Sequence, residues 1–138
     1  MELKEQILEL AKQAKEASRK LSFASGEAKN KALYLLADLL KEKKREIILA
    51  NEKDIAKAQE MGLDAARVDR LKITDKTIAS MAQACIEVAG MSDPVGEIEE
   101  MKKRPNGLMV GRMRIPLGVV AIIYESRPNV TIDAAILC

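Results

Sequence analysis

The feature that most constrains how this chain can fold is an unbroken apolar run of six residues, Gly118 to Ile123. The run is rich in β-branched side chains and has no polar position, which is typical of a parallel strand covered on both faces. Such a strand needs parallel neighbours, and the helix after it needs a returning strand. Neither follows in the 138 residues. Because each buried, unpaired backbone group costs about 1–3 kcal/mol, the run predicts that the chain is a truncation or one piece of a larger α/β fold.

Residues 1–90, which precede that run, carry the apolar spacing of helices. Apolar side chains recur three and four positions apart across residues 3–21, which predicts a helix with one apolar stripe. A break at residues 22–26 follows, in which Ser25 is suited to cap a second helix and Glu27 to its first turn. That helix is expected to continue, with a bend near residues 41–44, as far as Gly62, a natural C-terminal stop.

The last two helices of this region are shorter and have clear start and stop signals. A short helix is expected after Asp64, and Thr74 or Asp75 is expected to cap the next one, which Gly90 ends. The apolar spacing of this last helix predicts a face that packs into a core. Its predicted inward residues are Ile78, Met81, Ala82, Cys85, Ile86 and Ala89.

Residues 91–117 have the pattern of a β-hairpin. The sequence 105–107, Pro-Asn-Gly, is a turn signal between two strand-like runs. Residues 108–115 then alternate with a period of two, which indicates a strand with two different faces. Arg112 and Arg114 share one of these faces. They are either solvated or part of an interface, because the edges of a protruding hairpin must be covered or paired.

The balance of charge and the hydropathy pattern exclude two kinds of partner. The chain has 23 Lys and Arg against 21 Asp and Glu, and its aromatic content is 2%. A nucleic-acid binder usually has a one-sided basic stripe with aromatic stacking residues. The sequence also has no apolar run of about 18 residues and no signal-peptide layout. We therefore expect no nucleic-acid partner, no membrane partner and a cytoplasmic location.

The absence of histidine limits the chemistry of this segment. With no histidine in the sequence, Ser-His-Asp and Cys-His catalysis and the ordinary zinc sites are excluded, and no metal site is expected. The two cysteines, Cys85 and Cys138, give neither a disulfide framework nor a metal-ligand spacing. Because Cys85 falls on the apolar face of a predicted helix, we expect it in the core rather than as a nucleophile. Cys138 is not assigned a catalytic role.

The loop at residues 124–129 is the candidate site, because ligands of α/β sheets bind beyond the carboxyl ends of parallel strands. Glu125, Ser126, Arg127 and Asn129 place an acid, a hydroxyl, a guanidinium and an amide within five residues. Arg127 is suited to a carboxylate or phosphate, and free N–H groups at the start of the next helix, near residue 129 or 130, would favour the same anion. The alternative is that Ser126 and Asn129 only cap and turn the chain while Arg127 faces solvent. The residues alone leave both interpretations open.

Two stretches, one before this loop and one that contains it, carry a family resemblance. Residues 112–120, together with 124–131, resemble the signature region of the γ-glutamyl phosphate reductases, also called glutamate-5-semialdehyde dehydrogenases. The 124–131 stretch is specific to this branch, whereas 116–119 is shared more widely among aldehyde dehydrogenases. The likeness covers essentially the whole chain. Upstream segments that resemble further family landmarks, in the same order, are 50–55, 69–71 and 93–97.

The resemblance implies an α/β fold, namely the N-terminal part of an aldehyde-dehydrogenase-like fold. Residues 1–90 would be the helical part of a cofactor-binding domain. Residues 91–117 would be a β-hairpin that serves as an oligomerisation element. Residues 118–138 would hold the first parallel βα unit of the cofactor domain, truncated. The family therefore also implies a homo-oligomer that associates through the hairpin.

The resemblance further implies a reaction. γ-Glutamyl phosphate would be reduced to glutamate-5-semialdehyde and phosphate in proline biosynthesis, with NADP(H) as the cofactor. A cysteine thiolate would displace phosphate to form a thioester, and hydride transfer from NADPH would give the aldehyde. That nucleophile is expected beyond residue 138, so no catalytic residue is assigned within the chain. The cofactor-binding residues are unassigned, and the 138-residue chain alone is expected to be inactive.

Within the chain, the resemblance assigns substrate-binding residues only in the 124–129 loop. They are Glu125, Ser126, Arg127 and Asn129. Two other functions are compatible with parts of the sequence. One is an aldehyde-dehydrogenase-type enzyme that reduces a different acyl group, which the loop sequence disfavours. The other is a non-catalytic helical interaction module, which the isolated parallel strand disfavours.

Overall fold

The computed structural model describes residues 2–138, and these residues form six helices and one antiparallel sheet of two strands. The helices alternate with short breaks up to residue 89, the hairpin follows, and a last helix ends the chain. This order agrees with the predicted one except at residues 118–123, where a strand was expected. The elements are α1 Leu3–Leu21, α2 Gly26–Glu42, α3 Lys44–Glu60, α4 Ala65–Leu71, α5 Asp75–Ala89, β1 Ile98–Lys103, β2 Met109–Met113 and α6 Val130–Leu137.

The predicted helix boundaries are confirmed at most of the capping residues. The bend expected near residues 41–44 is a break at Lys43, which separates α2 from α3. Gly62 follows α3 with a φ of 74°, the left-handed conformation that glycine adopts at low cost. Asp64 caps α4 by accepting a hydrogen bond from the Arg67 N–H at 2.9 Å. Thr74 caps α5 by accepting one from the Thr77 N–H at 3.2 Å.

Compact packing divides the chain into two units, each described by itself. The first comprises residues up to Gly26 together with Ser92–Val120, and the second comprises Glu27–Met91 together with Ala121–Cys138. The buried core lies in the second unit, where α5 supplies the largest share and α2 and α6 supply the rest. Its buried members are Ala37, Leu40, Ile78, Met81, Ala82, Cys85 and Ile136. Five of the six residues predicted to face inward from α5 are buried, and the sixth, Ile86, is half-buried against the same core.

A buried asparagine connects helix α3 to the chain between α4 and α5 in the second unit. Asn51 of α3 is 4% exposed, and its side chain reaches the segment that links α4 to α5. The Asn51 Oδ1 accepts a hydrogen bond from the Ile73 N–H at 2.7 Å, and its Nδ2 donates to the Leu71 carbonyl at 2.9 Å. Both polar ends of the Asn51 side chain are thereby hydrogen-bonded, and so are two backbone groups that have no partner within a helix or sheet.

Cys85 is buried in the core, as predicted, with 0% of its surface exposed. Burial raises the pKa of its thiol, and the negative charge of Asp133 raises it further, outweighing a backbone hydrogen bond that lowers it. The thiol is therefore protonated at neutral pH. A protonated, buried thiol is a poor nucleophile, which agrees with a structural role.

This raised pKa predicts a pH dependence of stability that Cys85 causes. In the unfolded chain the thiol ionises near its usual pKa of about 8.5. The folded chain holds the proton to higher pH, so the stabilisation is complete below about pH 8.5 and is lost as the pH rises through the folded-state pKa. We expect the difference in unfolding free energy between the native chain and Cys85→Ala to shrink between about pH 7 and pH 10. Urea titrations at both pH values measure it, and an unchanged difference contradicts the assignment.

The hairpin forms as predicted and belongs to the first unit. Gly107, with a φ of 87°, completes the turn, and its N–H donates to the Arg104 carbonyl at 2.9 Å. The strand register places Met101, Met109 and Met113 on one exposed face. On the strand after the turn, the predicted charged face is solvated. The Arg114 guanidinium binds the Glu99 Oε1 at 2.7 Å, with both side chains about half exposed.

The structure departs from the prediction at the apolar run. Residues 118–123 form no strand, and Ile123 is fully exposed, whereas a strand buried on both faces was predicted. The physical reason lies in hydrogen-bonding partners. Among residues 2–138 the two strands pair with each other, so the run has no parallel neighbour with which to form a ladder. All six residues of the run are exposed, and its large apolar side chains, Val119, Val120, Ile122 and Ile123, are 47%, 48%, 46% and 102% exposed.

Candidate functional site

The predicted site lies where the apolar run ends and α6 begins. Helix α6 starts at Val130, as expected, and Asn129 occupies its N-cap position. The Tyr124 hydroxyl and the Thr131 hydroxyl share a short hydrogen bond. This bond joins the first residue of the loop to the first turn of the helix after it, and so it closes the loop at its base.

Ser126 has a left-handed backbone conformation. Its φ of 66° is in the left-handed region, and among residues 2–138 no other residue except glycine has a positive φ. A non-glycine residue in this region costs of the order of 1 kcal/mol and persists only where the surroundings determine it. The closed base of the loop provides such a constraint. Ser126 therefore makes the sharp turn that carries the chain from Glu125 to Arg127.

The amide groups at the start of α6 are already used. The N–H groups of Val130, Thr131 and Ile132 donate to the loop carbonyls of residues 127, 128 and 129, at 3.1, 3.3 and 3.0 Å. The expectation that these N–H groups are free to bind an anion is therefore wrong. The backbone turns tightly from the loop into the helix, so that each N–H group of the first turn donates to the carbonyl three residues earlier.

Arg127 and Glu125 are exposed and available. Within residues 2–138 the side chains of Glu125, Ser126 and Arg127 make no hydrogen bond or ion pair. The Arg127 guanidinium keeps all its donors for a ligand, and a planar fork of donors matches a carboxylate or a phosphate. The anion-binding capacity predicted for this loop therefore rests on the Arg127 side chain.

Asn129 does not cap the helix as an asparagine in this position commonly does. Its side chain makes no capping hydrogen bond, and its Nδ2 instead donates to the Asp133 Oδ2 at 2.8 Å. Both residues are half-buried. Sequence reasoning missed Asp133, although the four-residue spacing of an amide and a carboxylate on one helix is a usable signal.

Asn129 and Asp133 also line an open cleft against the first three turns of α5. Its volume is about 370 Å³, and its walls carry hydroxyl, ammonium, amide and carboxylate groups. Of the four predicted site residues, the structure brings Asn129 to this cleft, while Glu125, Ser126 and Arg127 lie outside its lining. The lining residues are Thr74, Lys76, Thr77, Ser80, Met81, Ala84, Asn129 and Asp133.

The described residues do not form a site for a dinucleotide or a metal. A dinucleotide site of the usual kind needs a parallel strand that leads into a helix through a glycine-rich turn. The loop before α6 has no glycine, and its first-turn amides are occupied. Residues 2–138 contain no group of three or more His, Cys, Asp or Glu side chains placed to hold a metal ion. None of the helices they form has the length and apolarity to cross a membrane.

No protein-family model matches the chain, but individual proteins of known family are similar to it. A γ-glutamyl phosphate reductase of Maridesulfovibrio salexigens is 58% identical over 129 residues, which are 94% of this chain and 31% of that protein. One from Nitratidesulfovibrio vulgaris is 56% identical over 138 residues, all of this chain and 33% of that protein. The chain thus spans about one third of the length of the curated relatives it matches.

Two solved structures show the same similarity in three dimensions. The crystal structure of γ-glutamyl phosphate reductase from Thermotoga maritima matches 94% of this chain and 31% of its own, with a TM-score of 0.90 and 46% identity. The enzyme from Saccharomyces cerevisiae matches 94% of this chain and 33% of its own, with a TM-score of 0.87 and 33% identity. The resemblance to the γ-glutamyl phosphate reductases is therefore confirmed in sequence and in fold, and it relates this chain to the N-terminal part of those enzymes.

Proposed function

We propose that this chain forms the N-terminal part of a cytoplasmic enzyme that reduces γ-glutamyl phosphate with NADPH, a step of proline biosynthesis. The observation that carries the proposal is the 56% identity to a γ-glutamyl phosphate reductase across all 138 residues. The balanced reaction is γ-glutamyl phosphate, NADPH and a proton giving glutamate-5-semialdehyde, phosphate and NADP⁺. NADPH supplies the hydride, and because residues 2–138 do not form a dinucleotide site, no cofactor contact is assigned to them.

The covalent step is assigned to a cysteine outside residues 1–138. A thiolate attacks the acyl phosphate carbonyl, a carbon–sulfur bond forms, and the bond to phosphate breaks with loss of inorganic phosphate. Cys85 does not fit this role, because it is fully buried and its thiol pKa is raised. The chain's own contribution is therefore to bind and orient the substrate.

The loop at 124–129 is the part of the chain that we assign to the substrate. The free guanidinium of Arg127 pairs with an anionic oxygen of γ-glutamyl phosphate, either on the phosphoryl group or on the carboxylate. Asn129 contributes its amide, while Ser126 and Glu125 line the site at the turn. The closed base formed by Tyr124 and Thr131 reduces the loss of conformational freedom on binding.

The domain roles follow from the same proposal. Residues 1–90 form the helical part of a cofactor-binding domain, and 118–138 begin its parallel α/β region. Residues 91–117 form a hairpin through which copies of the complete enzyme associate. The exposed methionine face of the hairpin, with Met101 at 53% and Met113 at 60%, supports an interface there.

A chimera provides the test in living cells. Residues 1–138 replace the aligned segment of the Nitratidesulfovibrio vulgaris reductase, and the chimera is produced in a proline auxotroph that lacks its own reductase. We expect growth without proline, because the exchanged segment supplies an equivalent substrate loop and fold. A parallel chimera with a soluble helical domain of the same length is the control and is expected to fail. Failure of both chimeras, with the first one folded, contradicts the proposed function.

The 138-residue chain by itself is expected to show no reductase activity. Cys85 is buried, no catalytic role is assigned to Cys138, and the described residues form no dinucleotide site, whereas the reaction needs a nucleophilic thiolate and a bound cofactor. The measurement is phosphate-dependent reduction of NADP⁺ by glutamate-5-semialdehyde, which runs the reaction in reverse. Turnover by the purified chain that persists through several purification steps contradicts this assignment.

A further inference from the structure

The side chain of Asn129 has a fixed orientation that the start of α6 does not explain. An asparagine at an N-cap usually adopts extended backbone angles and accepts a hydrogen bond from an N–H two or three residues later. Asn129 instead has helical angles, φ −63° and ψ −25°, and makes no such bond. Its side chain is therefore not used to begin the helix and is available for another purpose.

The bond between Asn129 and Asp133 provides that orientation. The Asn129 Nδ2 lies 2.8 Å from the Asp133 Oδ2, one helical turn further on. A hydrogen bond to an ionised carboxylate is shorter and stronger than one between neutral groups, and both residues are half-buried, which limits competition from water. Within residues 2–138, Asn129 makes no other side-chain hydrogen bond. One N–H and the Oδ1 of its amide therefore remain for a ligand.

A carboxylate selects one of the two orientations of an amide. The two ends of an asparagine side chain have nearly the same shape, but an ionised carboxylate only accepts hydrogen bonds. Asp133 therefore requires the NH₂ end of Asn129 to face it and disfavours the flipped amide, in which two oxygens would meet. In this way Asp133 determines where the remaining N–H and the Oδ1 of Asn129 lie in the cleft that both residues line.

We propose that Asp133 is a positioning residue, which acts on the substrate through Asn129 by fixing the orientation of its amide. The inference rests on the proposed function, since it assigns a role within the same substrate site. Asp133 does not itself bind the substrate in this account. The site benefits because a fixed amide loses no rotational freedom when the substrate binds.

A double-mutant cycle in the chimera described above tests the proposal. We expect Asn129→Ala and Asp133→Ala each to lower kcat/KM by about 10- to 100-fold, because each removes the fixed amide. The double variant is expected to be no worse than Asn129→Ala alone, since Asp133 has nothing left to orient. Asp133→Asn keeps an acceptor oxygen but also carries a donor, so it selects the orientation less strictly and is expected to recover only part of the activity. Losses that add in the double variant, or an Asp133→Asn variant as impaired as Asp133→Ala, overturn the proposal.

A second measurement does not depend on turnover. In NMR spectra of the 138-residue chain, one side-chain amide proton of Asn129 is expected to be shifted downfield and to exchange slowly with water. Both properties should be lost in Asp133→Ala and partly kept in Asp133→Asn. If Asp133→Ala leaves the Asn129 amide signals unchanged, the inference is overturned even when the chimera is active. An inactive chimera whose Asn129 signals behave as expected contradicts the proposed function and leaves the contact between Asp133 and Asn129 in place.

Discussion

Replacing Asn51 with alanine is expected to lower the free energy of unfolding of this chain by about 2–3 kcal/mol. The variant loses two hydrogen bonds and leaves the Ile73 N–H and the Leu71 carbonyl without partners in a part-buried position. Because Asn51 also packs at 4% exposure, water does not easily take the place of its side chain. Urea denaturation followed by circular dichroism measures the effect.

Two further variants make this result specific. Asn51→Asp keeps an oxygen for the Ile73 N–H but turns a second oxygen toward the Leu71 carbonyl, so we expect it to be at least as unstable as Asn51→Ala. Asn30→Ala, on the neighbouring helix α2, removes an asparagine that has no such partners and is expected to change stability by less than about 0.5 kcal/mol. An Asn51→Ala variant as stable as Asn30→Ala contradicts the structural role of Asn51.

Replacing Arg127 with alanine in the chimera is expected to weaken transition-state binding by about 2–5 kcal/mol, which is about 30-fold or more in kcat/KM. The reason is that a desolvated anion of the substrate loses the forked guanidinium that neutralises it. Steady-state kinetics with varied glutamate-5-semialdehyde and phosphate measure the effect and show which of the two substrates it concerns.

Two control variants distinguish the effect of the Arg127 fork from the effect of its positive charge and from a general effect of losing an exposed arginine. Arg127→Lys retains the charge but not the planar fork, so only part of the loss is expected to be recovered. Arg45→Ala removes another exposed arginine, one on α3 that belongs neither to the loop nor to the cleft lining, and is expected to leave the kinetics unchanged. Unchanged kinetics in Arg127→Ala remove Arg127 from the substrate site.

The helices could be predicted from the sequence because their signals are local. The spacing of apolar residues in α5 predicted which side chains are buried, and capping residues such as Thr74 and Asp64 predicted where helices begin. The hairpin turn at Gly107 is likewise set by its own few residues. The apolar spacing of a helix does not tell whether another part of the chain covers its apolar side, as α1 shows. Residue Leu10 of α1 is 63% exposed, and none of that helix is buried in the structure.

The apolar run at 118–123 shows the limit of prediction most clearly. Its apolar, β-branched composition suits the interior of a parallel sheet. Whether a strand forms there depends on neighbours that are distant in sequence, because a strand gains its hydrogen bonds from other strands. The hairpin does not supply them, since β1 and β2 pair with each other. In the absence of such a ladder among residues 2–138, Ile123 is exposed.

In the candidate site, the sequence predicted the position of the loop but not its hydrogen bonds. Residue types placed an anion-binding group at Arg127, and the structure leaves that group free. The occupied amides of α6 and the left-handed Ser126 depend on how tightly the chain turns, which residue types alone do not determine. Asn51 was noticed as part of a family landmark, yet its role depends on a contact with Ile73, 22 residues away, that no local pattern reveals.

The most direct test of the account is the activity of the purified chimera in which residues 1–138 replace the aligned third of the Nitratidesulfovibrio vulgaris reductase. The measurement is phosphate-dependent reduction of NADP⁺ by glutamate-5-semialdehyde, compared with the unmodified reductase at the same enzyme concentration. We expect kcat/KM within about tenfold of the parent enzyme, a difference of about 1.4 kcal/mol or less. A chimera that folds and assembles like the parent but shows no turnover contradicts the assignment of this chain to such an enzyme.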